Sequence, residues 1–347
     1  MLRVGISGIG FMGMIHYLAY QKVPGVEVTA IASRDEKKRD GDWRGIKGNF
    51  GPPGEQMDLS GIKTYESADE MIADQDIDLI DITLPPFRHA DVATAALKAG
   101  KHVFCEKPLT LDAASSEQVV KTAADWKRIL LVGHVLPFFP EYSWARSIVH
   151  SGKYGKLLGG HFRRTISDPA WLEHYWDPML VGGPMLDLHV HDAHFIRYLF
   201  GMPESVVTRG RMQGECPQSW MTLFNFANSD LVVSASSGTI GQQGRAFLHG
   251  FEIQLEKATL TFEFAVIGEE GKYLCQPTLL DSDGNVETPD LGDGDPSLAF
   301  QAEIEEVVRC ISADQTSEIL GGQLAEDAIA ICHAQTESLK LGSSVSL

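Results

Sequence analysis

The feature that most constrains this chain is the glycine pattern Gly8-Ile9-Gly10-Phe11-Met12-Gly13, which follows an apolar run and precedes a helical pattern. A strand, G-x-G-x-x-G and a helix in this order are typical of a dinucleotide-binding βαβ unit. Gly8 would allow the tight turn, Gly10 would let a pyrophosphate approach the backbone, and Gly13 would let the helix pack close to the strand. The helix would present free N–H groups and its positive dipole end to the phosphates. The motif therefore predicts dinucleotide binding near the N-terminus.

The first third of the chain alternates short apolar runs with helical patterns. We predict strands at Leu2–Ser7, Val26–Ala32, Ile62–Tyr65, Asp78–Thr83, His102–Cys105 and Ile129–Val135. We predict helices at Phe11–Val23, Ser67–Ala73, Arg88–Ala99 and Ala113–Arg128. Residues 34–61 are polar and rich in Gly and Pro, and we expect them to form a long loop or frayed helix that does not pack. Alternating βα units of this length predict a parallel sheet with helices on both faces.

After about residue 136 the pattern changes to two helical segments, then β-rich runs, then two more helical segments. The predicted helices are Glu141–His150, Pro184–Phe200, Ala299–Ser312 and Leu324–Leu341. The predicted strands are Ser205–Met212, Trp220–Phe226, Leu231–Gly238, Ala246–Gly250, Glu252–Leu255 and Thr259–Phe264. The chain has 347 residues, a length that fits two domains. The predicted fold is α/β, with a Rossmann domain at residues 1–135 and an α+β domain at residues 136–347. The second domain would carry a mostly antiparallel open sheet, and the last helix, about residues 324–341, is a candidate to pack on the first domain.

Charge and composition exclude several partners. The chain has 29 Lys and Arg residues against 47 Asp and Glu residues, a net charge of −18. Such a surface disfavours nucleic acid and anionic membranes as partners. The five cysteines are scattered without a C-x-x-C pair, which favours a reducing compartment and no zinc site. No signal peptide or membrane-spanning pattern is evident, so we expect a cytoplasmic protein.

The end of the second predicted strand bears on the choice of cofactor. An acidic residue at this position would accept the ribose 2′-hydroxyl and select NAD. Here the strand ends Ala32-Ser33-Arg34-Asp35, and the hydroxyl of Ser33 and the guanidinium of Arg34 could hold a 2′-phosphate. Asp35 could still take the NAD role. The cofactor is therefore NAD or NADP, and this end of the strand favours NADP.

Two further segments carry side chains suited to catalysis. Lys107 lies in Cys105-Glu106-Lys107-Pro108, where a parallel strand ends and ligands commonly bind. In the helical stretch from Pro184 to Phe200, a helical wheel at about 100° per residue places Asp187, His191 and His194 on one polar face. A carboxylate one turn before an imidazole can serve as an acid/base pair, although an ordinary solvated face has the same pattern. His189 points away from this face, so we expect no metal site from H-x-H-x-x-H. Asp192 falls on the apolar side, where we expect a buried, hydrogen-bonded structural residue.

These motifs in this order resemble the glucose–fructose oxidoreductase, inositol dehydrogenase and rhizopine-catabolism (Gfo/Idh/MocA) family. The resemblance rests on GISGIGFMGMIH, PPFRH, AGKHVFCEKPLT and GGPMLDLHVHDAHFIRYLFG, together with AFQAEIEEVVRCI and AEDAIAICHAQTESLKLG near the end. It spans nearly the whole chain. It implies hydride transfer between a nicotinamide cofactor and a hydroxyl or ketone of a sugar, glycoside or polyol. It also implies a homo-oligomer, a dimer or tetramer, assembled through the open sheet.

The resemblance assigns roles to individual residues. Lys107, often followed by a cis proline in the family, would polarise the substrate oxygen. His191 would take the hydroxyl proton, and Asp187 would position His191 and the sugar. The implied cofactor contacts lie in the glycine loop and at the ends of the strands: Gly8, Gly10, Phe11, Met12, Gly13, Ser33, Arg34, Thr83, Leu84, Pro85, His89, Glu106 and Lys107.

The sequence departs from the family pattern at some positions near the expected substrate pocket. His194 stands where many members have an Asp, and could alter substrate contacts or share a metal with Asp187 or His191. In the segment after the last strand of the first domain, Gly133-His134-Val135-Leu136-Pro137-Phe138-Phe139-Pro140, many members have an Arg or Asn-Arg. His134 could line the substrate pocket there or be a structural histidine with its hydrogen bonds satisfied. The aromatic and charged stretch before Gly182 would suit stacking on a sugar ring, or could be plain surface packing. The candidate substrate residues are His134, Arg163, Trp171, Tyr175 and His194.

Two alternatives to a dehydrogenase remain open. The first is a redox-neutral glycosidase or lyase of the same fold, which would keep its NAD and release sugar without net cofactor turnover. The second is a cofactor-binding regulator without chemistry, for which we would expect Lys107, Asp187 and His191 to be missing.

Overall fold

The structure, a computed structural model, describes residues 1–48, 50–170, 172–227, 230–292 and 294–347. Its strands, in chain order, are β1 Leu2–Ser7, β2 Val26–Ala32, β3 Lys63–Tyr65, β4 Leu79–Ile82, β5 His102–Glu106, β6 Leu130–Gly133, β7 Leu157–Ser167, β8 Ser205–Gln213, β9 Cys216–Asn225, β10 Val232–Ile240, β11 Arg245–Leu255, β12 Ala258–Ile267, β13 Glu270–Asp281, β14 Val286–Glu287 and β15 Val345–Ser346. Its α-helices are α1 Phe11–Tyr20, α2 Glu36–Arg39, α3 Ala68–Ala73, α4 His89–Lys98, α5 Ala113–Asp125, α6 Pro140–Ser151, α7 Val190–Phe200, α8 Pro296–Ser312 and α9 Gly322–Leu341.

The chain folds into two compact units. The first contains residues 1–139 and 295–326, and the second contains residues 140–294 and 327–347. This division differs from the predicted domain bounds because α8 belongs with the first unit. Phe300 of α8 stacks on Phe50 with ring centroids 5.2 Å apart and lies 6.4 Å from the His16 ring of α1. The last helix, α9, is a candidate to pack on the first domain, but its residues 327–341 belong to the second unit.

The first unit contains a parallel sheet with the strand order β3-β2-β1-β4-β5-β6. This is the order of a doubly wound Rossmann sheet, in which the chain changes direction between β1 and β4. Apolar side chains such as Ile6, Ile80 and Phe104 are fully buried in its strands. On the outer side of β6, the Val132 N–H donates to the Leu320 carbonyl, so the returning chain protects that edge. The predicted Rossmann fold is confirmed.

The irregular segment after β2 is packed, and the expectation that it would not pack is wrong. Trp43 is fully buried, donates its indole N–H to the Lys38 carbonyl at 2.9 Å, and meets the Tyr17 ring edge-on at 5.0 Å. Ile46 is also buried. Gly and Pro correctly indicated irregular backbone here, but the apolar anchors hold it against α1.

The second unit contains a mixed sheet with the strand order β14-β13-β12-β11-β7-β10-β9-β8-β15. Its neighbouring strands pair antiparallel except for β7 and β10, which are parallel. One face carries buried side chains such as Phe162, Phe224 and Phe262, and α7 packs there through Phe195, whose ring lies 6.2 Å from that of Phe162. The predicted α+β architecture with a mostly antiparallel sheet is confirmed.

Sequence reasoning missed β7 and β13, and divided β11 into two strands. The β7 segment contains Gly159 and Gly160, and glycine is depleted in strands. In the structure, a Cβ on Gly159 would overlap the Val232 carbonyl oxygen of β10, so this glycine permits close approach of two strands. Among the described residues, no helix is long and apolar enough to cross a membrane.

Candidate active site

The glycine loop of the first unit has a different requirement at each glycine. Gly8 has a φ of +105°, which favours glycine, and a Cβ on Gly13 would overlap the Gly8 carbonyl oxygen. A Cβ on Gly10 would have nothing within 4 Å, so the chain itself does not require glycine there. Gly10 is also the N-cap of α1, and its missing side chain leaves the first amides of the helix uncapped. The open space and the uncapped amides fit a dinucleotide pyrophosphate, as the motif predicts.

The loop after β4 supports the glycine loop at the point where the sheet changes direction. The Thr83 hydroxyl donates to the Gly8 carbonyl at 2.6 Å, and the Thr83 N–H donates to the Ser7 carbonyl at 2.9 Å. The Leu84 side chain lies beside Gly8, and Pro85 is exposed. Thr83, expected to contact the cofactor, thus holds the loop that would contact it.

His89 lies inside the protein between two loops. Its Nδ1 is 2.8 Å from the Pro108 carbonyl oxygen and its Nε2 is 2.7 Å from the Leu84 carbonyl oxygen. Burial lowers the pKa of His89 below the ordinary histidine value. The ring therefore connects the loop after β4 with the loop after β5, and its structural partners are backbone carbonyls.

The segment at the end of β5 has the geometry that the resemblance implies. The Lys107–Pro108 peptide bond is cis, and Lys107 is half-buried. The Glu106 carboxylate turns inward, where Oε2 accepts from the Lys107 N–H at 3.0 Å and Oε1 lies 3.2 Å from His16 Nε2. The other ring nitrogen of His16 lies 2.9 Å from Asp81. Sequence reasoning missed His16 and Asp81, although a charged residue within the apolar run DLIDIT was an available signal.

At the tip of β2, the side chains that bear on cofactor choice have distinct environments. Asp35 caps α2, where its carboxylate accepts from the Lys37 N–H at 3.0 Å. The Ser33 hydroxyl accepts from the Asp35 N–H at 3.2 Å, and the Arg34 side chain is exposed. Asp35 is thus engaged in capping α2, whereas the Arg34 side chain faces solvent.

In the second unit, the predicted helix from Pro184 begins with a π-helical turn, Met185–His189, and continues as α7. Gly183, with a φ of +64°, precedes it, and a Cβ there would lie 2.7 Å from the Cys216 sulfur. π-Helical turns occur frequently at functional sites. From Met185 to Ile196, a range that the structure describes completely, every side chain is buried except those of Asp187 and His191. Asp187 and His191, which we predict to be an acid/base pair, are therefore the accessible polar groups of this segment.

Behind the π turn, buried polar contacts hold the helix on its sheet. His189 Nδ1 lies 2.8 Å from the Ser237 hydroxyl, which agrees with its predicted direction away from Asp187. The Arg164 guanidinium donates to Asp192 at 2.7 and 3.1 Å, and both residues are buried. Burial would raise the pKa of Asp192, but Arg164 and His189 outweigh it and the pKa is lowered. The prediction of Asp192 as a buried, hydrogen-bonded residue agrees with these contacts.

The candidate substrate residues lie in varied places, and Trp171 is outside the described residues. Arg163 is in β7, not in a loop, and pairs with Glu263 on the opposite sheet face from Arg164, because successive strand residues point to opposite faces. His194 and His134 are buried. The exposed polar face predicted to include His194 ends at His191. Among the described residues, no group of three or more His, Cys, Asp or Glu side chains could hold a metal ion.

Tyr175 is the aromatic candidate that lies among the described residues. Its side chain is buried, its ring contacts that of Trp176 edge-on, and Trp176 donates its indole N–H to Asp168 at 3.2 Å. Burial raises the pKa of the Tyr175 phenol, and the charges of Asp187 and Asp168 add to this effect. The phenol is therefore a neutral hydrogen-bonding group.

The sheet order, the glycine loop and the second α+β unit together define a Rossmann-type nucleotide-binding protein with an appended domain. A family model described as an oxidoreductase family with an NAD-binding Rossmann fold matches residues 2–134. The model of the C-terminal domain of the same family matches residues 142–273. The chain belongs to the Gfo/Idh/MocA family, which confirms the resemblance seen in the sequence.

Proteins similar in sequence to this chain include sugar and polyol dehydrogenases. An inositol 2-dehydrogenase of Salmonella typhimurium is 32% identical over 164 residues, which cover 47% of this chain and 45% of that protein. A levoglucosan dehydrogenase of Pseudarthrobacter phenanthrenivorans is 26% identical over 314 residues, covering 76% of this chain and 74% of that protein. The chain spans about half the length of the inositol dehydrogenases it matches.

Solved structures share the fold over the full chain. A levoglucosan dehydrogenase in complex with NADH and levoglucosan superposes with a TM-score of 0.80, 22% identity and coverage of 99% of both chains. A scyllo-inositol dehydrogenase from Lactobacillus casei gives a TM-score of 0.74 at 20% identity, covering 100% of this chain and 98% of that chain. At these identities the likeness shows the fold.

Proposed function

We propose that this protein is an NAD(P)-dependent oxidoreductase that transfers a hydride between the cofactor and a hydroxyl or ketone of a sugar, glycoside or polyol. The observation that carries the proposal is the accessibility of Asp187 and His191 within an otherwise buried segment. The open space at Gly10 supports a bound dinucleotide. The names of the relatives support carbohydrate hydroxyls as the substrate class.

The proposed mechanism gives each of three side chains one task. The His191 imidazole takes the proton of the reacting hydroxyl, since histidine can accept a proton near neutral pH. Asp187, one turn earlier, orients His191 and accepts a hydrogen bond from a substrate hydroxyl. The Lys107 ammonium donates to the reacting oxygen and stabilises the negative charge that develops there. The nicotinamide cofactor, when bound, supplies the hydride acceptor or donor.

The substrate and cofactor can be tested in one experiment. A panel of sugars, glycosides and polyols is incubated with NAD or NADP, and nicotinamide absorbance is followed. We expect stoichiometric reduced cofactor with one substrate class, and sugar release without it would indicate the redox-neutral alternative. Lys107→Ala and His191→Ala should each lower kcat at least about a hundredfold. The exposed Lys121→Ala and His150→Ala are the matched controls, and full turnover by both active-site variants would overturn the mechanism.

For the cofactor, we propose a preference for NADP, with Ser33 and Arg34 binding the 2′-phosphate. The exposed Arg34 and the capping role of Asp35 support this choice. Arg34→Ala should weaken NADPH binding about tenfold or more and leave NADH binding within about twofold. Equal losses for the two nucleotides would contradict the assignment.

We also propose a homo-oligomer that forms through the outer face of the second sheet. The sheet face that points away from α7 carries four exposed apolar side chains. They are Met221 (59% exposed), Leu223 (46%), Val232 (65%) and Leu280 (40%). Large exposed apolar side chains on a sheet commonly mark an interface. Val232→Arg should reduce the mass measured by light scattering to that of a monomer, whereas an unchanged mass would place the interface elsewhere.

For the compartment, we propose the cytoplasm. The five cysteines are all free thiols, and four of them, Cys105, Cys216, Cys310 and Cys332, are buried. Free thiols throughout a chain fit a reducing compartment. Localisation of a tagged full chain in its own cells tests the assignment.

A further inference from the structure

The first unit contains a histidine enclosed by carboxylates next to the proposed catalytic lysine. His16, on α1, is fully buried. Its Nδ1 lies 2.9 Å from Asp81 Oδ2 on β4, and its Nε2 lies 3.2 Å from Glu106 Oε1 at the end of β5. The ring stacks on Phe104, with centroids 5.2 Å apart and planes 19° apart. One side chain therefore joins the helix of the glycine loop to two central strands.

The contacts favour the doubly protonated form of His16. Each ring nitrogen faces a carboxylate oxygen, and because a carboxylate oxygen accepts hydrogen bonds, a ring with a proton on both nitrogens satisfies both contacts at once. Burial opposes the positive charge, but attraction and hydrogen bonds from the two carboxylates outweigh it and raise the pKa of His16 well above its ordinary value. The imidazolium is thus the form of His16 that Asp81 and Glu106 stabilise.

Three other titratable groups lie beside the ring, and all three are acids whose pKa is raised. Glu303 of α8 is fully buried beside the cluster, and burial, with the charges of Glu106 and Asp81, raises its pKa well above the ordinary value. Burial likewise raises the pKa of Tyr20 on α1 and of Cys105 on β5. Each shift favours the protonated, uncharged form of its group, which disfavours further negative charge beside Asp81 and Glu106.

A buried ion pair adds little net stability compared with apolar packing of the same volume, so its main structural result is orientation. Here the orientation of Glu106 affects the proposed catalytic residue, Lys107. Glu106 Oε1 is held by His16, and this turns Oε2 toward the Lys107 N–H, which donates to it at 3.0 Å. The chain Asp81–His16–Glu106 therefore ends on the backbone of Lys107.

We propose that His16 is a positioning residue, which as an imidazolium held by Asp81 fixes the Glu106 carboxylate and through it the backbone of Lys107. This inference rests on the proposed function, because it takes Lys107 as catalytic. It goes beyond that function by assigning a task to a buried residue that touches neither substrate nor cofactor. Its consequence is that the helix of the dinucleotide loop and the catalytic lysine keep a fixed mutual position.

The first test needs no substrate. In protein labelled with ¹⁵N-histidine, the His16 resonances are those lost in His16→Gln. We expect both ring nitrogens to remain protonated at about pH 8, where an ordinary histidine is neutral. A neutral His16 ring at that pH would overturn the proposal. Glu106→Gln removes one carboxylate and should move the His16 titration to lower pH.

The second test measures Lys107. Lysines carrying ¹³C-methyl labels give one resonance each, and that of Lys107 is absent in Lys107→Arg. We expect this resonance to move in His16→Gln and to stay in place in Tyr17→Phe, a substitution on the same helix at a buried ring that packs against Trp43. On the substrate found in the panel, His16→Gln should lower kcat about tenfold to a hundredfold, with the nucleotide KM within about threefold.

The outcomes separate the two proposals. If Lys107→Ala retains full turnover, the proposed function fails whatever His16 does. If Lys107→Ala is inactive but His16→Gln matches Tyr17→Phe in kcat and in the Lys107 resonance, the positioning role fails alone. Should His16→Gln not fold by circular dichroism, Glu106→Gln replaces it in both measurements with the same expected directions.

Discussion

A pair of glycine substitutions in the dinucleotide loop separates binding from folding. Gly10 has φ −107° and ψ −158°, an extended conformation that alanine adopts, and its Cβ would meet nothing within 4 Å. Gly10→Ala should therefore leave the free energy of unfolding unchanged or raise it by about 0.5 kcal/mol. Gly13→Ala is different, because its Cβ would overlap the Gly8 carbonyl oxygen and lie 2.9 Å from the Thr83 hydroxyl oxygen. Since backbone cannot move aside cheaply, we expect a loss of about 1–3 kcal/mol.

Binding should respond to Gly10→Ala in the opposite way. The added methyl group occupies the space through which a phosphate would approach the loop amides. Loss of about two hydrogen bonds to a charged group, at about 1.5 kcal/mol each, amounts to about 3 kcal/mol, or about a hundredfold in Kd.

Urea unfolding and NADH fluorescence titration measure the two quantities on the same samples. The expected result is a Gly10→Ala protein that is as stable as the wild type but binds NADH about a hundredfold more weakly. Gly13→Ala should be impaired in both measurements. Wild-type NADH affinity in Gly10→Ala would refute the assignment of the open space to the pyrophosphate, and a large loss of stability there would refute the steric reasoning.

Three further predictions concern stability. The raised pKa of Glu303 contributes stability at acid pH, and this stability is lost as pH rises toward the folded-state pKa, by about 1.4 kcal/mol per pH unit. Above about pH 5, the urea midpoint should therefore fall more steeply with pH in the wild type than in Glu303→Gln. Parallel curves for the two proteins would contradict this. Asp192→Asn leaves the buried Arg164 charge uncompensated and should cost about 3–5 kcal/mol in urea unfolding, with a loss under about 1 kcal/mol counting against a buried ion pair. Trp43→Ala should cost about 3–5 kcal/mol, whereas Trp126→Ala, at a side chain that is 49% exposed, should cost under about 1 kcal/mol, and equal losses would show that the irregular segment is not anchored by Trp43.

The sequence alone predicted those features that local pattern encodes. β1 and β2 begin and end at the predicted residues, because each is an apolar run bounded by turn residues. The glycine spacing predicted the loop, and the helical wheel placed Asp187 and His191 together. Even the buried role of Asp192 followed from its position on the apolar side. Each of these inferences uses residues that are near neighbours along the chain.

The wheel was less reliable where packing changed the geometry. It assumes a regular α-helix with one solvent-facing side, whereas the segment begins with a π-helical turn and is buried from Asp192 to Ile196. His194 therefore shares the predicted direction but not the exposure. Similarly, Arg163 and Arg164 are adjacent in sequence, and only the pairing of β7 with its neighbours determined which of them faces α7.

The tertiary structure alone decided the contacts between distant residues. His16 meets Asp81 and Glu106 across sequence separations of 65 and 90 residues, and Trp43 becomes a core residue inside a segment that reads as polar loop. Spacing along the chain reports which residues share a face of one element, but it carries no information on which elements become neighbours. The sequence thus determined the nucleotide-binding fold and the pair Asp187 and His191, while topology decided what holds Glu106 and Lys107 in place.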